Sequence, residues 1–446
     1  MATQTALIQD EVIMKSGLDN FKVFLAKEEL KNSGDEFYWR LAFWKQINEV
    51  SPQITFFEKS QNLDSGYLSH SWHSFPAKFY PQLVRALINI CKVKSGSVIF
   101  DPYAGCGTTL VESKLMGFDA VGTDISKLAI LITKVKTNLN ISTNTLEKTL
   151  RNIRSNFVQK HNDKNIMHEH TDFESHWYNS NNLRQLKILK LEIDNIKYAE
   201  IREFFLVALS AALRRIANTK SGQIEVRYKL RNKTENLIRL FENKVYTMIS
   251  DLITYKQHVP NTAESKTSIY FADASKNKLQ NESVDFIITS PPYGNGLDYS
   301  KIHKLSIALI FGEEELEHFK NSQTGTLYSN DFNNVSVPFS KTGQIIINKL
   351  KRISASRCRS MARYYWDMHS SIKNMYSVLK YGKTCVIIVG GTKIKNLEIN
   401  NSVVLLEIAN YFGFKTKNVL NWCYDKTRRS GLVHKIKGET ILILEK

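Results

Sequence analysis

The sequence predicts an α/β fold built around a mostly parallel sheet, and three observations carry that prediction. Short β-branched runs, each followed by a helical stretch, recur from about residue 67 to the end of the chain. One of them breaks into a Gly-rich loop, DPYAGCGTT (101–109). Another breaks into a proline-stiffened loop, TSPPYGNGLDY (289–299). Strands alternating with helices form parallel sheets whose ligands sit outside the carboxyl ends of the strands.

Taken in order, residues 1–66 read as a mostly helical extension rich in aromatics, with FYWRLAFW at 37–44. The strands follow: SVIFDPYAG (97–105), FDAVGTDIS (118–126), SIYFADAS (268–275), VDFIITSPPY (284–293), TCVIIVGG (384–391), KNVLNWC (417–423) and ETILILEK (439–446). A helix around 364–380 precedes the fifth. Two stretches interrupt this rhythm. Residues 137–263 are largely helical and basic, and 313–360 are polar with a basic end. The expected division is therefore an extension (1–66), a catalytic domain (67–136 and 264–446) and a helical insertion (137–263), the last a candidate for substrate recognition. Within it, the helix at 204–217 reads as packing its apolar face on the core.

Composition narrows the class. The chain has 446 residues, 42% hydrophobic and 23% charged, an ordinary globular balance. Its 61 Lys and Arg against 43 Asp and Glu give a net charge of +18, which favours a polyanionic partner such as nucleic acid. The five cysteines, Cys91, Cys106, Cys358, Cys385 and Cys423, form no C-x-x-C pair. That spacing disfavours a disulfide framework or a structural zinc site and fits a reducing cytoplasm. The start, MATQTALIQDEV, lacks the basic-then-apolar pattern of a secretory signal. No apolar run reaches the roughly 18 residues that span a bilayer, so no membrane association is expected.

In the Gly-rich loop, Gly105 and Gly107 let the backbone approach a ligand with no Cβ in the way. No third glycine completes a dinucleotide fingerprint, and no G-K-[ST] follows as in a P-loop. The second strand ends in Asp124, whose carboxylate can accept two hydrogen bonds from ribose hydroxyls. Asp273, at the end of the third, can face an adenine amino group. A helix cap is the competing role for either acid. Together they point to an adenosine-containing cofactor.

The second loop is the more specific. Pro291 and Pro292 fix φ twice and remove two N–H donors, leaving free carbonyl acceptors in a rigid turn. Ser290 adds a hydroxyl and Tyr293 a flat ring. These groups suit the capture of an exocyclic amine on a base drawn out of the helix. No Pro-Cys dipeptide occurs, which disfavours thiolate attack on a pyrimidine ring.

With both motifs in view, the chain resembles the DNA amino-methyltransferases of bacterial modification systems, in particular the SPPY type that produces N4-methylcytosine. The resemblance covers roughly 67–136 and 264–446. It implies a class I methyltransferase, Rossmann-like fold with a mostly parallel seven-stranded sheet, and S-adenosylmethionine as cofactor with no metal. It places Asp101, Tyr103, Gly105 and Gly107 at the methionine end of that cofactor, Asp124 at the ribose and Asp273 near adenine, with Thr108 and Ile125 as further cofactor-binding residues. The upstream segment HSFPAKFYPQLVRALI (73–88) adds His73, Phe75, Lys78 and Phe79 as candidates. Ser290, Pro291, Pro292 and Tyr293 become the catalytic set. Ser290 and the Pro291 carbonyl would orient the amine, Tyr293 would stack on the flipped base, and Asp298 or Tyr299 could assist proton departure. Serine in the first position favours cytosine over adenine. The order of the two motifs and the long insertion before Asp273 depart from the commonest members.

The implied partners are double-stranded DNA and, as a candidate, a cognate restriction endonuclease. RRIANTK (214–220), VRYKLRNK (226–233), KLKRISASRCR (349–359) and DKTRRSGLVHKIKG (425–438) are candidate phosphate contacts. The competing readings are an N6-adenine enzyme, an RNA base amino-methyltransferase and a catalytically inactive DNA-binding subunit.

Overall fold

The structure is a computed structural model that describes residues 66–163, 169–231, 234–258, 265–276, 279–294, 297–325, 334–423 and 438–446. The extension predicted for residues 1–66 lies outside the described residues except for Gly66, as does the basic 425–438 segment except for Gly438.

Five strands form the parallel part of the sheet: β1 (Val98–Asp101), β2 (Asp119–Asp124), β3 (Thr267–Phe271), β4 (Val284–Thr289) and β5 (Leu379–Gly390). β8 (Lys415–Cys423) and β9 (Gly438–Glu445) complete it, and a small antiparallel hairpin, β6 (Thr392–Ile394) with β7 (Leu397–Ile399), stands apart. The order across the sheet is β3-β2-β1-β4-β5-β9-β8. β9 runs antiparallel to both β5 and β8, and every other pairing is parallel. The seven strands and their parallel core match the sequence reading. The hairpin was not read, because each of its arms is only three residues long.

The strands are apolar on both faces because helices cover both. Phe100, Ile287, Cys385 and Ile387 point to one buried cluster, whereas Ile99, Phe286, Ile288 and Val386 point to the other. On the first face lie α11 (Lys341–Ile353), α12 (Ala355–Val378) and α13 (Asn401–Tyr411), contributing Ile347, Met361, Tyr365, Ile372 and Leu405. α1 (Pro81–Ile90) supplies Leu83, Val84 and Leu87 to the second. Within the 313–360 stretch, read as polar, the described residues hold three helical segments: α10 (Glu313–Ser322), α11 and the start of α12. α11 is amphipathic, and its buried side is only Gly343, Ile346, Ile347 and Leu350, too thin a stripe to stand out among basic residues.

Between α3 (Lys127–Thr137) and β3 the chain builds a helical unit: α4 (Thr143–Asn162), α5 (Asp172–Trp177), α6 (Ser180–Asp194), α7 (Ala199–Ile216) and α8 (Leu237–His258). Three of its helices start on a side-chain cap. Ser142 accepts from Thr145 N, Thr171 and Glu174 form a reciprocal capping box, and Asn179 accepts from Asn182 N. α7 buries Phe204, Phe205, Leu209 and Leu213 against Leu128, Ile132, Phe241 and Met248, as the sequence reading of 204–217 expects. α9 (Tyr299–Phe311) follows the second motif and joins the same cluster through Leu305 and Ile307.

The strand order turns back between β1 and β4. β2 and β3 lie on one side of that point and β5 on the other. A crevice opens there, outside the carboxyl ends of the strands. Both sequence motifs leave the sheet at this place.

Candidate active site

The two motifs are tied together by Asp101, the last residue of β1. Its Oδ1 accepts from Thr289 Oγ1 at 2.7 Å and from Tyr103 N at 3.0 Å; its Oδ2 accepts from Thr109 Oγ1 at 2.6 Å. Thr289 is the last residue of β4, so one carboxylate bridges the ends of adjacent strands. Burial lifts the Asp101 pKa to about 6, against the pull of these three donors.

The Gly-rich turn is held by a second acid. Asp124 Oδ2 accepts from Gly105 N and its Oδ1 from Ser126 N, each at 2.8 Å. Burial raises its pKa to about 6 as well. Gly105 and Gly107 both have positive φ, +51° and +81°. A Cβ on Gly107 would sit 2.6 Å from Thr133 Cγ2, so the start of α2 (Thr108–Leu115) presses on α3 at that point. A Cβ on Gly105 would face the Phe75 ring at 3.5 Å.

The segment bearing Phe75 is anchored by a fully buried cluster. Glu112 Oε1 accepts from Tyr67 Oη at 2.6 Å and lies 2.8 Å from His70 Nε2, while its Oε2 accepts from Arg85 Nε at 2.9 Å. Burial alone would raise the Glu112 pKa, but Arg85 and His70 hold it below the usual range. Phe75 then meets α9. Its ring lies 4.6 Å from His303 and 5.8 Å from Tyr299, both at 29°, making an aromatic wall. Burial drops the His303 pKa to about 3, so the imidazole is neutral at working pH.

On the β4 side, Ser290 is half-buried, and its hydroxyl bonds to none of the described residues. Tyr293 is held by its hydroxyl and along one edge of its ring. The hydroxyl donates to Glu439 Oε1 on β9, and a Cβ on Gly390 would come within 2.6 Å of Cε2.

These groups enclose one cavity of about 410 Å³. Of the predicted cofactor residues, Phe75, Lys78, Asp101, Tyr103, Gly105, Thr108, Asp124, Ile125 and Asp273 line it; of the predicted catalytic set, Ser290, Pro292 and Tyr293 do. Phe79, Asp298 and Tyr299 line it too. Gly107 and Pro291 do not. Gly107 serves the packing of α2 on α3, and Pro291 is buried behind the wall. His73 is also absent from the lining. Its Nε2 pairs with Ser210 Oγ at 2.8 Å and its Nδ1 lies 2.9 Å from Ser74 O, so it is a core histidine. Asp273 lies two residues past the end of β3, exposed, with Oδ1 accepting from Ser275 N and Oγ at 2.8 and 2.7 Å.

Sequence reasoning missed His303 and Glu225, which also line the cavity. For His303 a signal existed. Tyr299 and His303 stand four residues apart on the helix that follows the second motif, hence on one face. Glu225 belongs to the helical unit and carries no local signal. Acids outnumber bases on the wall: Asp101, Asp124, Glu225, Asp273 and Asp298 against Lys78, Lys301 and Arg357.

A family model described as DNA methylase (N6_N4_Mtase) matches residues 16–135 and 284–446, more than half of the chain. The intervening gap holds the helical unit and β3. Type II methyltransferase M.MvaI of Kocuria varians is 24% identical over 405 residues, 84% of this chain and 86% of that protein. Type II methyltransferase M.BsoBI of Geobacillus stearothermophilus is 23% identical over 316 residues, 64% of this chain and 62% of that one. Among solved structures, an SAM-dependent methyltransferase of Methanosarcina mazei overlaps with a TM-score of 0.31 at 9% identity, covering 79% of this chain and 94% of that one.

Proposed function

Because the chain belongs to the DNA methylase family, whose members modify base amino groups, we propose that it transfers a methyl group from S-adenosylmethionine to the N4 amine of cytosine in double-stranded DNA. The observation that carries this reading is the shared cavity. The Gly-rich turn after β1 and the serine of the proline loop after β4 line one space, and Asp101 fixes their separation.

The cavity fits the cofactor in three respects. Its volume lies within the roughly 300–1,000 Å³ of small-molecule sites. Its excess of acids, with His303 held neutral, favours a cationic ligand such as a sulfonium. Gly105, where a Cβ would already touch the Phe75 ring at 3.5 Å, keeps side-chain bulk out of that end of the cavity. When bound, S-adenosylmethionine supplies an electrophilic methyl group.

The protein's part is positioning, which can supply about 7–11 kcal/mol of barrier reduction. Asp124 holds Gly105 N and offers its carboxylate to ribose hydroxyls. Phe75 and Tyr299 give the flat wall against which an adenosine can lie. Ser290 accepts from the target amine together with main-chain carbonyls of the proline loop, turning the nitrogen lone pair toward the Gly105 end. Tyr293, pinned by Glu439 and Gly390, presents a fixed ring for the flipped base. Asp298 is engaged at the start of α9, where its Oδ1 accepts from Ser300 N at 3.1 Å. That engagement leaves water as the first acceptor of the departing proton. The choice of cytosine rests on Ser290 standing where adenine enzymes more often carry an acid or amide.

The test is direct. Purified chain is incubated with labelled S-adenosylmethionine and duplex DNA, and the product is digested to nucleosides. N4-methyldeoxycytidine is the expected product. N6-methyldeoxyadenosine would overturn the base assignment, and label appearing only in RNA would overturn the substrate.

A further inference from the structure

Two of the basic segments singled out in the sequence are one structural element. After α7 the chain runs out and returns as a short hairpin, with Thr219 bridged to Tyr228. Lys220 N donates to Arg227 O at 2.9 Å, Lys229 N to Asn218 O at 3.1 Å, and Arg231 N to Asn218 Oδ1 at 3.1 Å. Arg214 braces the returning strand by donating from Nη2 to Gln223 O and Ile224 O at 3.1 and 2.7 Å. The hairpin is therefore a defined shape.

Its placement links it to the site. Val226 N donates to Lys301 O at 3.2 Å, which fastens the hairpin to α9 between Tyr299 and His303. Glu225, the residue before that anchor, lines the cavity. The residues after it, Arg227, Tyr228, Lys229 and Leu230, are all exposed, as is Lys220 on the opposing strand. The hairpin thus puts an acid into the cavity and a basic edge beside it. Arg227 lies 3.8 Å from Glu225, but the pair is 65% and 33% exposed, a loose contact that a phosphate can displace.

Resting on the DNA methyltransferase reading, we propose that this hairpin, residues 218–231, is the element that grips the duplex beside the target base. Arg227, Lys229 and Lys220 contact phosphates, and Glu225 keeps the anionic backbone out of the cavity while admitting a neutral base. The partner is a duplex polyanion, and the contact is with its backbone, so it positions without reading sequence. The bond to Lys301 ties the grip to the helix that carries Tyr299 and His303 of the aromatic wall.

The experiment measures methyl transfer to duplex DNA across a salt series for the parent, for Arg227→Ala/Lys229→Ala, and for Lys148→Ala/Arg151→Ala. The last pair removes the same charge from the exposed face of α4 in the same helical unit. The hairpin variant should raise the KM for DNA about tenfold or more and lower the slope of log affinity against log salt by about 2. Its kcat at saturating DNA should stay within about twofold of the parent and its cofactor affinity should be unchanged, as for removal of uniform binding. The α4 pair should leave all of these near parental values. Arg227→Glu/Lys229→Glu should deepen the KM defect, with circular dichroism confirming the parental fold. A hairpin variant with parental KM and slope overturns the assignment, as does an equal loss from the α4 pair. A parent that methylates RNA instead, or neither polymer, overturns the DNA reading and this inference with it.

Discussion

Thr289→Val tests the bridge on which the site depends. The substitution keeps volume and β-branching but removes the hydroxyl that donates to Asp101 Oδ1 at 2.7 Å. Both residues are buried, Thr289 fully and Asp101 to 2% exposure, so water cannot replace the lost donor. A hydrogen bond to an ionised group contributes about 1.5–3 kcal/mol, against about 0.5–1.5 kcal/mol for a neutral pair. The Asp101 pKa near 6 means that the carboxylate is charged at pH 7.5 and mostly protonated at pH 5. Urea unfolding at pH 7.5 should therefore show a loss of about 1.5–3 kcal/mol with an unchanged m value, and the loss should shrink at pH 5. Methyl transfer should fall further than cofactor affinity, because the bridge sets the distance between the Gly105 end and Ser290. A loss below about 0.5 kcal/mol at both pH values, with parental turnover, would show that the bridge neither stabilises nor aligns.

Ser290→Ala should cut single-turnover methyl transfer by about tenfold to a hundredfold, the equivalent of one lost hydrogen bond to an amine that gains positive charge as it takes the methyl group, while calorimetry shows parental cofactor affinity. Asp124→Ala should do the reverse, weakening the cofactor by a comparable factor. In the parent, the Asp124 pKa near 6 predicts cofactor affinity that is level above about pH 6 and declines below it as the carboxyl takes up a proton. The sign for stability is opposite. A folded-state pKa raised above the ordinary 3.8 means that the native state binds the extra proton, so this group makes the free protein more stable as pH falls from about 6 to about 4. Affinity lost in that window, measured alongside a melting temperature that does not fall, separates the two. Gly107→Ala should cost about 2–4 kcal/mol in urea, combining positive φ with a Cβ placed 2.6 Å from a fully buried Thr133. A cost below about 0.5 kcal/mol would show that the turn relaxes freely.

What the sequence disclosed were features whose residues are contiguous. DPYAGCGTT and TSPPY are unbroken strings, each attached to a β-branched run, so strand, loop and chemistry could be read together. Asp101 shows the limit of that kind of reading. It was assigned to the cofactor, and it does line the cavity, but its carboxylate is occupied by Thr109, Thr289 and Tyr103 N. The Thr289 partner is 188 positions away, and no local pattern announces such a bond. His73 was misread for the same reason. Its partner Ser210 belongs to α7, 137 positions on. The Glu112 cluster, which seats the Phe75 segment, draws Tyr67, His70 and Arg85 from 27 to 45 positions upstream and was not read at all.

Charge explains why both ligands of this reaction can use one opening. A chain carrying +18 attracts DNA as a whole, yet its cavity is lined by five acids against three bases. The two tendencies do not cancel, because they act at different ranges. At physiological salt the attraction of exposed basic groups is screened over about 8 Å, which is enough to hold phosphates along the rim. The acids lining the cavity act at its inner surface, where screening is weaker and a cation is favoured. Asp101 and Asp124 reinforce this boundary, since their pKa values near 6 show how costly burial already makes their charge. A second anion in that space would add repulsion to that cost. Under the proposed function, this arrangement keeps the backbone of DNA at the mouth while an uncharged base enters to meet a positively charged donor.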